Sequence, residues 1–491
     1  MPAKSCHLTQ IKAVARTHAH LGRMELALET LGNATLLFRE DGRHVLATDP
    51  WLEGSCYRGS WALDRPLTDD ERASVLAAEY IWISHGHPDH FHPASLKHFP
   101  GGQKVLLPDF YVPDMRNYLT ARGFEVTVLP YRQWVQLSPG IRCLCLDNEN
   151  QDAILVIEAG DDLIVNLNDS PLCGDERFIR TLVKKYDRRR TYAAALYSND
   201  ADMMNFVDPH GRRLLDRPEK RKPGMVWTTA RTVDRLGVGN YIGSASQHIY
   251  ARADSVWANP YRVTWHDVER NWTRPHIRTI EPFVVIDLKS GEYRRKHPTQ
   301  TSDLSQITST MLDDDWNERM NEADWALLAA YFARIEILQS HLDTLDFVVG
   351  GERRRAWESK SARGRRPEDL RGIVFHAPRQ SLVKTLKHGY FDDILIGNFM
   401  SAELHSVGLY PHFTPIVSKL AGSSKVYTFA DLRRFKRRYF RRNPLGYLEW
   451  RIEEQMDRLT DAARRWAAAL GVKRPLRRIY RWMIGDPVTS D

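Results

Sequence analysis

This 491-residue sequence predicts an α/β fold, and three observations carry the prediction. Short apolar runs of strand length alternate with helical segments through the first part of the chain. One such run, Tyr80-Ile81-Trp82-Ile83, leads directly into the loop His85-Gly86-His87-Pro88-Asp89-His90. Hydrophobic residues make up 42% of the chain and charged residues 27%, the ordinary balance of a soluble globular protein. A chain of this length buries a sizeable core and is expected to form two domains.

The elements follow in order. Glu25 to Leu31 alternates as a strand, Gly32-Asn33 turns, and Thr35 to Phe38 returns. His44 to Thr48 is the next strand, ending at Asp49-Pro50-Trp51. Residues 68–78 read as a helix that delivers the chain to the strand before the histidine loop. Lys104 to Leu107 and Glu125 to Leu129 are strands around a helix near 112–122. Ile141 to Leu146, Ala153 to Glu158 and Leu163 to Leu167 are three short strands in succession. Residues 210–223 read as a polar, basic connection, and 302–341 as helical. Leu345 to Val349, Ile373 to His376 and Gln380 to Lys387 form a β-β-α-like segment. Between its strands, 350–368 reads as a charged, mobile loop. Residues 428–483 are helical and basic. No internal repeat is present.

Bulk properties narrow the setting. The start, Met1-Pro2-Ala3-Lys4-Ser5, is not an apolar signal segment, and no run of about 18 apolar residues could span a membrane. Five cysteines (Cys6, Cys56, Cys143, Cys145, Cys173) read as reduced thiols, which points to the cytoplasm. Cys143 and Cys145 share one face of a strand, as two small buried side chains or, alternatively, a thiolate pair. The net charge of +8 is concentrated in Arg353-Arg354-Arg355 with Lys360, Arg363, Arg365 and Arg366, in Arg433 to Arg442, and in Lys473, Arg474, Arg477, Arg478 and Arg481. Such patches with interleaved aromatics can meet nucleic acid or anionic membrane. No nucleic-acid module accompanies them, so a solvated helix face or an acidic partner or substrate is the simpler reading.

The histidine loop carries the chemistry. A strand points successive side chains to opposite faces, so only a loop at its end can converge them on one point. Neutral imidazole and carboxylate suit zinc, iron or manganese. The bland alternative is a polar loop that happens to be rich in histidine.

The motif His-x-His-x-Asp-His resembles that of the metallo-β-lactamase superfamily. The resemblance implies an αββα sandwich, followed here by a C-terminal α+β domain and a basic helical tail, with boundaries at 1–290, 291–425 and 426–491. It also implies two metal ions. His85 and His87 would hold the first, and Asp89 and His90 the second. Asp169, after the run 163–165, is placed for the bridging carboxylate, and His248 for the last ligand, with His266 and His276 as rivals. The first metal's third ligand is normally a histidine, but Asp147-Asn148-Glu149-Asn150-Gln151-Asp152 contains none. Glu149 is the expected substitute, with Asp147 and Asp152 as rivals. A carboxylate there favours iron over zinc. Asp49 matches the superfamily's early Asp, which orients a ligand. His92 and His98 lie off the pattern and read as structural.

A closer resemblance is to the catalytic part of the CMP-N-acetylneuraminate hydroxylase family. It rests on Asp49-Pro50-Trp51, Arg58-Gly59-Ser60-Trp61, the loop 83–90, Asn168-Asp169, and Lys387-His388-Gly389-Tyr390-Phe391-Asp392-Asp393-Ile394-Leu395-Ile396-Gly397. That family's Rieske domain needs paired Cys-His ligands, whereas only Cys6-His7 are adjacent here, so electrons would come from a separate donor. The resemblance implies a diiron O₂-using hydroxylase; Asp89 is expected to be essential to this and to the hydrolytic alternative alike, and the basic loops suit an anionic small-molecule or carrier-bound substrate. The alternatives are a dinuclear zinc or manganese hydrolase, or a binding protein whose arginines dock on membrane or nucleic acid.

Overall fold

The computed structural model describes residues 25–199, 201–296, 311, 314–366 and 369–469. Cys6, His7 and the basic residues from Lys473 to Arg481 lie outside the described residues. Two sheets face each other in the first part of the chain. One has eight strands in the spatial order Tyr293–Arg295, Val284–Asp287, Leu26–Leu31, Thr35–Glu40, Arg43–Thr48, Tyr80–Trp82, Lys104–Pro108 and Glu125–Leu129. The other has seven: Arg278–Ile280, Asn240–Gly243, Thr191–Ala195, Asp162–Asn168, Ala153–Ala159, Ile141–Asp147 and Val135–Gln136.

The period of two sorts their side chains between layers. Leu28, Phe38 and Leu46 of the first sheet meet Cys143, Cys145, Leu155 and Ile157 of the second in one core. Leu31, Leu37 and Ala47 point the other way, to Val75 and Leu119 of the helices Asp69–Leu76 and Asp114–Thr120. Leu144, Leu146, Ile154 and Val156 turn out to Ile179, Val226 and Val268 of the helices Glu176–Val183, Pro218–Leu236 and Trp265–Asn271. Helix, sheet, sheet and helix are thus stacked as an αββα sandwich. Cys143 and Cys145 are fully buried free thiols between the sheets. The strands Arg43–Thr48, Tyr80–Trp82, Lys104–Pro108 and Glu125–Leu129 run parallel. The histidine loop leaves the C-terminal end of Tyr80–Trp82, where open parallel sheets place their ligands.

A second sheet system follows, ordered Phe206–Val207, Ser401–His405, Gly372–His376, Thr344–Val349 and Glu352–Glu358. Trp325, Leu328 and Phe332 of the helix Glu322–Ala333 pack on Phe347 and Phe375 of its strands, with Leu382 and Leu386 of Arg379–His388. Its edge strand Phe206–Val207 comes from the first part of the chain and pairs parallel with Ser401–His405.

Two expectations change. Within the segment read as a mobile loop, Glu352–Glu358 is a strand paired antiparallel with Thr344–Val349. Its arginines are not free: Arg353 and Arg355 both pair with Asp346, and Arg354 pairs with Glu322 and Glu352. Paired charge concealed a half-buried edge strand. The polar connection 210–223 contains the start of the helix Pro218–Leu236, with Pro218 in the first turn, where a missing N–H costs nothing.

The helices Phe429–Arg442 and Pro444–Ala469 close the described chain. The first buries Phe435 and Tyr439 while Arg442 pairs with Asp109 and Asp147, so part of the basic tail is an ion-paired seam. Among the described residues no helix is long and apolar enough to cross a membrane.

Candidate metal centre

The loop folds on itself because of Pro88. The N–H of His90 donates to the carbonyl of His87 at 3.0 Å, closing a β-turn with Pro88 at its second position, which the fixed φ of proline suits. The turn brings the imidazoles together: the His85 ring centroid lies 4.7 Å from that of His87 and 4.2 Å from that of His90. His85 Nε2 faces His87 Nδ1 at 2.8 Å. His90 Nε2 lies 3.3 Å from Asp89 Oδ2 and 3.5 Å from Asp169 Oδ2. Asp169 is brought there by Asn168, whose φ of +50° turns the chain at the end of its strand; asparagine is among the few residues that tolerate that conformation. One ligand atom each from His85, His90 and Asp169 lie within 4.8 Å of one another.

Asp49 organises the rings from behind. Its Oδ1 accepts the N–H of Ser84 at 2.7 Å, and its Oδ2 lies 3.0 Å from His90 Nδ1. Ser84 Oγ is 2.9 Å from His85 Nδ1. Asp89 is held by two neutral donors, the hydroxyl of Tyr57 to Oδ1 at 2.5 Å and the amide of Asn33 to Oδ2 at 3.0 Å.

These residues fit a metal. Asp169 Oδ1 and His248 Nδ1 are buried without a hydrogen-bond partner, and His90 Nε2 meets only the carboxylate oxygens of Asp89 and Asp169; an unmet buried group costs roughly 1–3 kcal/mol unless something else binds it. Nitrogen and carboxylate oxygen converging on one point, with carboxylates behind the rings, is the donor set of iron, zinc or manganese. The surrounding charges act unequally on the groups of the site. Burial lowers the pKa of His90, but Asp89, Asp169 and Asp49 overcome it and push it well up. Burial, helped by charge on His90 and His87, pushes His85 well down. Burial raises Asp89, but His90 and the Tyr57 hydroxyl hold it well below the usual carboxylate range.

His248 lies nearby but outside that tight group; burial and the Arg262 charge lower its pKa, and the Asp89 charge opposes them. Glu149 is not brought to the histidines. It faces a water-sized pocket of about 20 Å³ with Tyr447, Trp450 and Arg442. Burial raises its carboxyl, against the charges of Arg451 and Lys436. Asp147 also lines that pocket. From the segment 147–152, the carboxylate that shares a cavity with His85 and His87 is Asp152. Burial raises Asp152, while Lys419, His87 and His90 draw it down. The switch comes at Gln151, whose φ of +61° reverses the chain between the two carboxylates.

His92 caps the short helix Pro93–Leu96 and His98 pairs with Glu53 at 2.7 Å. Sequence reasoning missed Tyr57, Asn33 and Asp392. Asp392 Oδ2 lies 3.1 Å from His87 Nε2. Its signal was the 387–397 stretch, which looked like part of the hydroxylase resemblance without a role.

The centre opens into a cavity of about 1010 Å³, large enough for a drug-sized or cofactor-sized molecule. His85, His87, Asp152 and Asp169 form its floor, and Arg213, Arg221, Tyr390 and Lys419 stand on its walls.

Residues 27–161 match the family model described as "Beta-lactamase superfamily domain". The chain is 34% identical over 104 residues to a "Putative Rieske 2Fe-2S iron-sulfur protein" of Mycobacterium tuberculosis, covering 20% of this chain and 19% of that protein. It is 27% identical over 155 residues to the cytidine monophosphate-N-acetylneuraminic acid hydroxylase of Danio rerio, covering 30% and 26%. The matches thus span about a fifth to a quarter of these relatives' length. Among solved structures, a possible metal-dependent hydrolase from Veillonella parvula aligns with a TM-score of 0.37 at 14% identity, over 56% of this chain and 100% of that one. The layered sandwich, its histidine loop and the matched superfamily domain together identify a metallo-β-lactamase fold, in a chain that resembles the CMP-N-acetylneuraminate hydroxylases over 30% of its length.

Proposed function

We propose that this chain is a dinuclear metal enzyme of the oxidative kind, a hydroxylase that works with iron and O₂. The observation that carries the reading is Asp152. It faces the cavity beside His85 and His87 from the segment where the superfamily resemblance implies a histidine. A carboxylate in that place makes the donor set harder and more anionic, which favours iron over zinc. His85, His87 and Asp152 would then hold one ion, Asp89, His90 and His248 the other, with Asp169 between them.

When bound, such a pair supplies O₂ activation, driven by electrons from a separate donor. Similarity to a protein named for a Rieske cluster, and to hydroxylases, supports that kind of donor. The chain's own residues do the positioning. Tyr57 and Asn33 fix Asp89, Asp49 and Ser84 fix His90 and His85, and the cavity holds the substrate against them. Arg213, Arg221 and Lys419 on its walls offer partners to an anionic group, among the carboxylates of Asp114, Asp202 and Asp216 that line the same cavity.

A second reading, a zinc or manganese hydrolase, draws on Asp169. Its side chain is 32% exposed and lines the cavity, where a metal-bound water and a substrate would meet it. Metal analysis of anaerobically purified protein separates the two. About two irons per chain, falling in Asp152→Ala and unchanged in Glu149→Ala, supports the hydroxylase. Two zincs, or iron indifferent to Asp152, supports the hydrolase.

A further inference from the structure

The C-terminal part of the chain reaches the histidine loop through Asp392. Its Oδ2 lies 3.1 Å from His87 Nε2, and the side chain is nearly buried. The other nitrogen of that ring, Nδ1, faces His85 Nε2 at 2.8 Å. The arrangement repeats, from a different part of the chain, what Asp49 does for His90: a carboxylate behind the ring leaves the opposite nitrogen directed at the centre.

Asp392 is firmly placed for this. Phe391, just before it, is fully buried in the core of the second sheet system. Asp392 opens the short helix Asp392–Ile396. The carbonyls at the far end of that helix are taken up by side chains from the first part of the chain: Asn205 Nδ2 donates to the Leu395 carbonyl at 2.6 Å, and Ser60 Oγ, in the sandwich, donates to the Gly397 carbonyl. Asn398, with φ of +55°, donates to the Ile396 carbonyl at 2.9 Å and to the Ala201 carbonyl at 2.9 Å. One end of the segment is therefore anchored in the second core and the other on the sandwich, with Asp392 between.

We infer that Asp392 is a positioning residue of the metal centre. It accepts the Nε2–H of His87 and so fixes the tautomer whose Nδ1 lone pair is free to bind a metal. The centre is then completed across both parts of the chain, and its affinity depends on how the C-terminal part docks. This rests on reading residues 85–90 as a metal centre, and not on the choice between hydroxylase and hydrolase.

The test is zinc(II) binding, by competition with a chromophoric chelator, to the full chain and to Asp392→Ala and Asp392→Asn. A thermal melt of each variant establishes that it is folded. Loss of the carboxylate in Asp392→Ala should weaken one of the two zinc equivalents roughly 10- to 100-fold. Asp392→Asn keeps an acceptor oxygen of the same size and should lose less. In the zinc-loaded protein, ¹⁵N-histidine NMR should show His87 protonated on Nε2, with that proton exchanging faster in Asp392→Ala. Wild-type affinity in both variants, or His87 protonated on Nδ1, would overturn the inference alone. A wild-type chain that binds no zinc would overturn the metal-centre reading and this inference with it.

Discussion

The indole of Trp61 lies flat on the imidazole of His248, with ring centroids 3.4 Å apart and planes 4° from parallel. The two rings sit on paired antiparallel strands, Trp61–Leu63 and His248–Tyr250. The stack holds the ring while Nδ1 stays without a partner. Trp61→Leu should loosen His248 and lower occupancy of one metal position, and Trp61→Phe should largely preserve it. Metal stoichiometry of the two variants decides this; equal loading would mean that the stack does not set the ring for a metal.

Removing the metal should destabilise the protein. A ligand held at a thousand times its Kd stabilises the folded state by about 4 kcal/mol. A chelator should therefore lower the Tm of the wild-type chain. Asp89→Ala, which deletes the carboxylate gripped by Tyr57 and Asn33, should start lower, respond little to chelator and lack activity. A Tm indifferent to chelator in the wild type would count against a bound metal.

Arg252 is fully buried and joins the two parts of the chain. It bonds Asp254 at 2.7 Å and Asp314 at 2.9 Å, and its guanidinium lies 4.0 Å from the centre of the Phe399 ring. Asp314 also accepts the N–H of Ser381 at 2.9 Å. Breaking a buried pair from one side costs about 3–5 kcal/mol when the remaining charge is unmet; Asp254 still answers part of the Arg252 charge, which puts the cost at the low end. Asp314→Ala should lower the unfolding free energy from urea titration by about 3 kcal/mol; a loss under about 1 kcal/mol, the level of a surface pair, would show that water reaches the site.

The pair of Arg442 with Asp147 makes a pH prediction. Burial outweighs the guanidinium and holds Asp147 at about 6, above the ordinary aspartate value. The folded state therefore keeps this proton when the unfolded chain has lost it. Its contribution to stability is full below the unfolded value near 4, declines as pH rises to about 6, and is level above that. Arg442→Leu removes the charge that makes the ionised form tolerable. Its cost should be larger at pH 8 than at pH 5, where Asp147 holds its proton. Chemical denaturation at the two pH values tests this, and an equal cost at both would place the effect elsewhere than in Asp147.

Much of the sandwich was legible because its rule is local. Alternation in Leu26 to Glu40 and Ile141 to Ala159 sorts side chains between layers without knowledge of the partner sheet. His85 to His90 and Asp169 were legible for a related reason, since each follows directly on a strand end. Glu149 and Asp152 were not distinguishable, because one left-handed residue between them decides which faces the cavity. Asp392 lies 305 residues from His87, and no periodicity reports such a contact. The strand Glu352–Glu358 was hidden because a row of arginines looks solvated until Asp346 and Glu322 are placed opposite it.

The strand Phe206–Val207 gives the molecule an indivisible architecture. It leaves the sandwich to complete a sheet whose other strands lie more than a hundred residues later in the chain. Cut between the two parts, the first would carry a strand without its sheet, left with only a bridge from Val207 to Arg213. The second would expose a row of open N–H and C=O groups along Ser401–His405, the kind of edge that recruits other chains. The two parts therefore share one sheet, and exchanging either as a cassette would take a strand of the other with it.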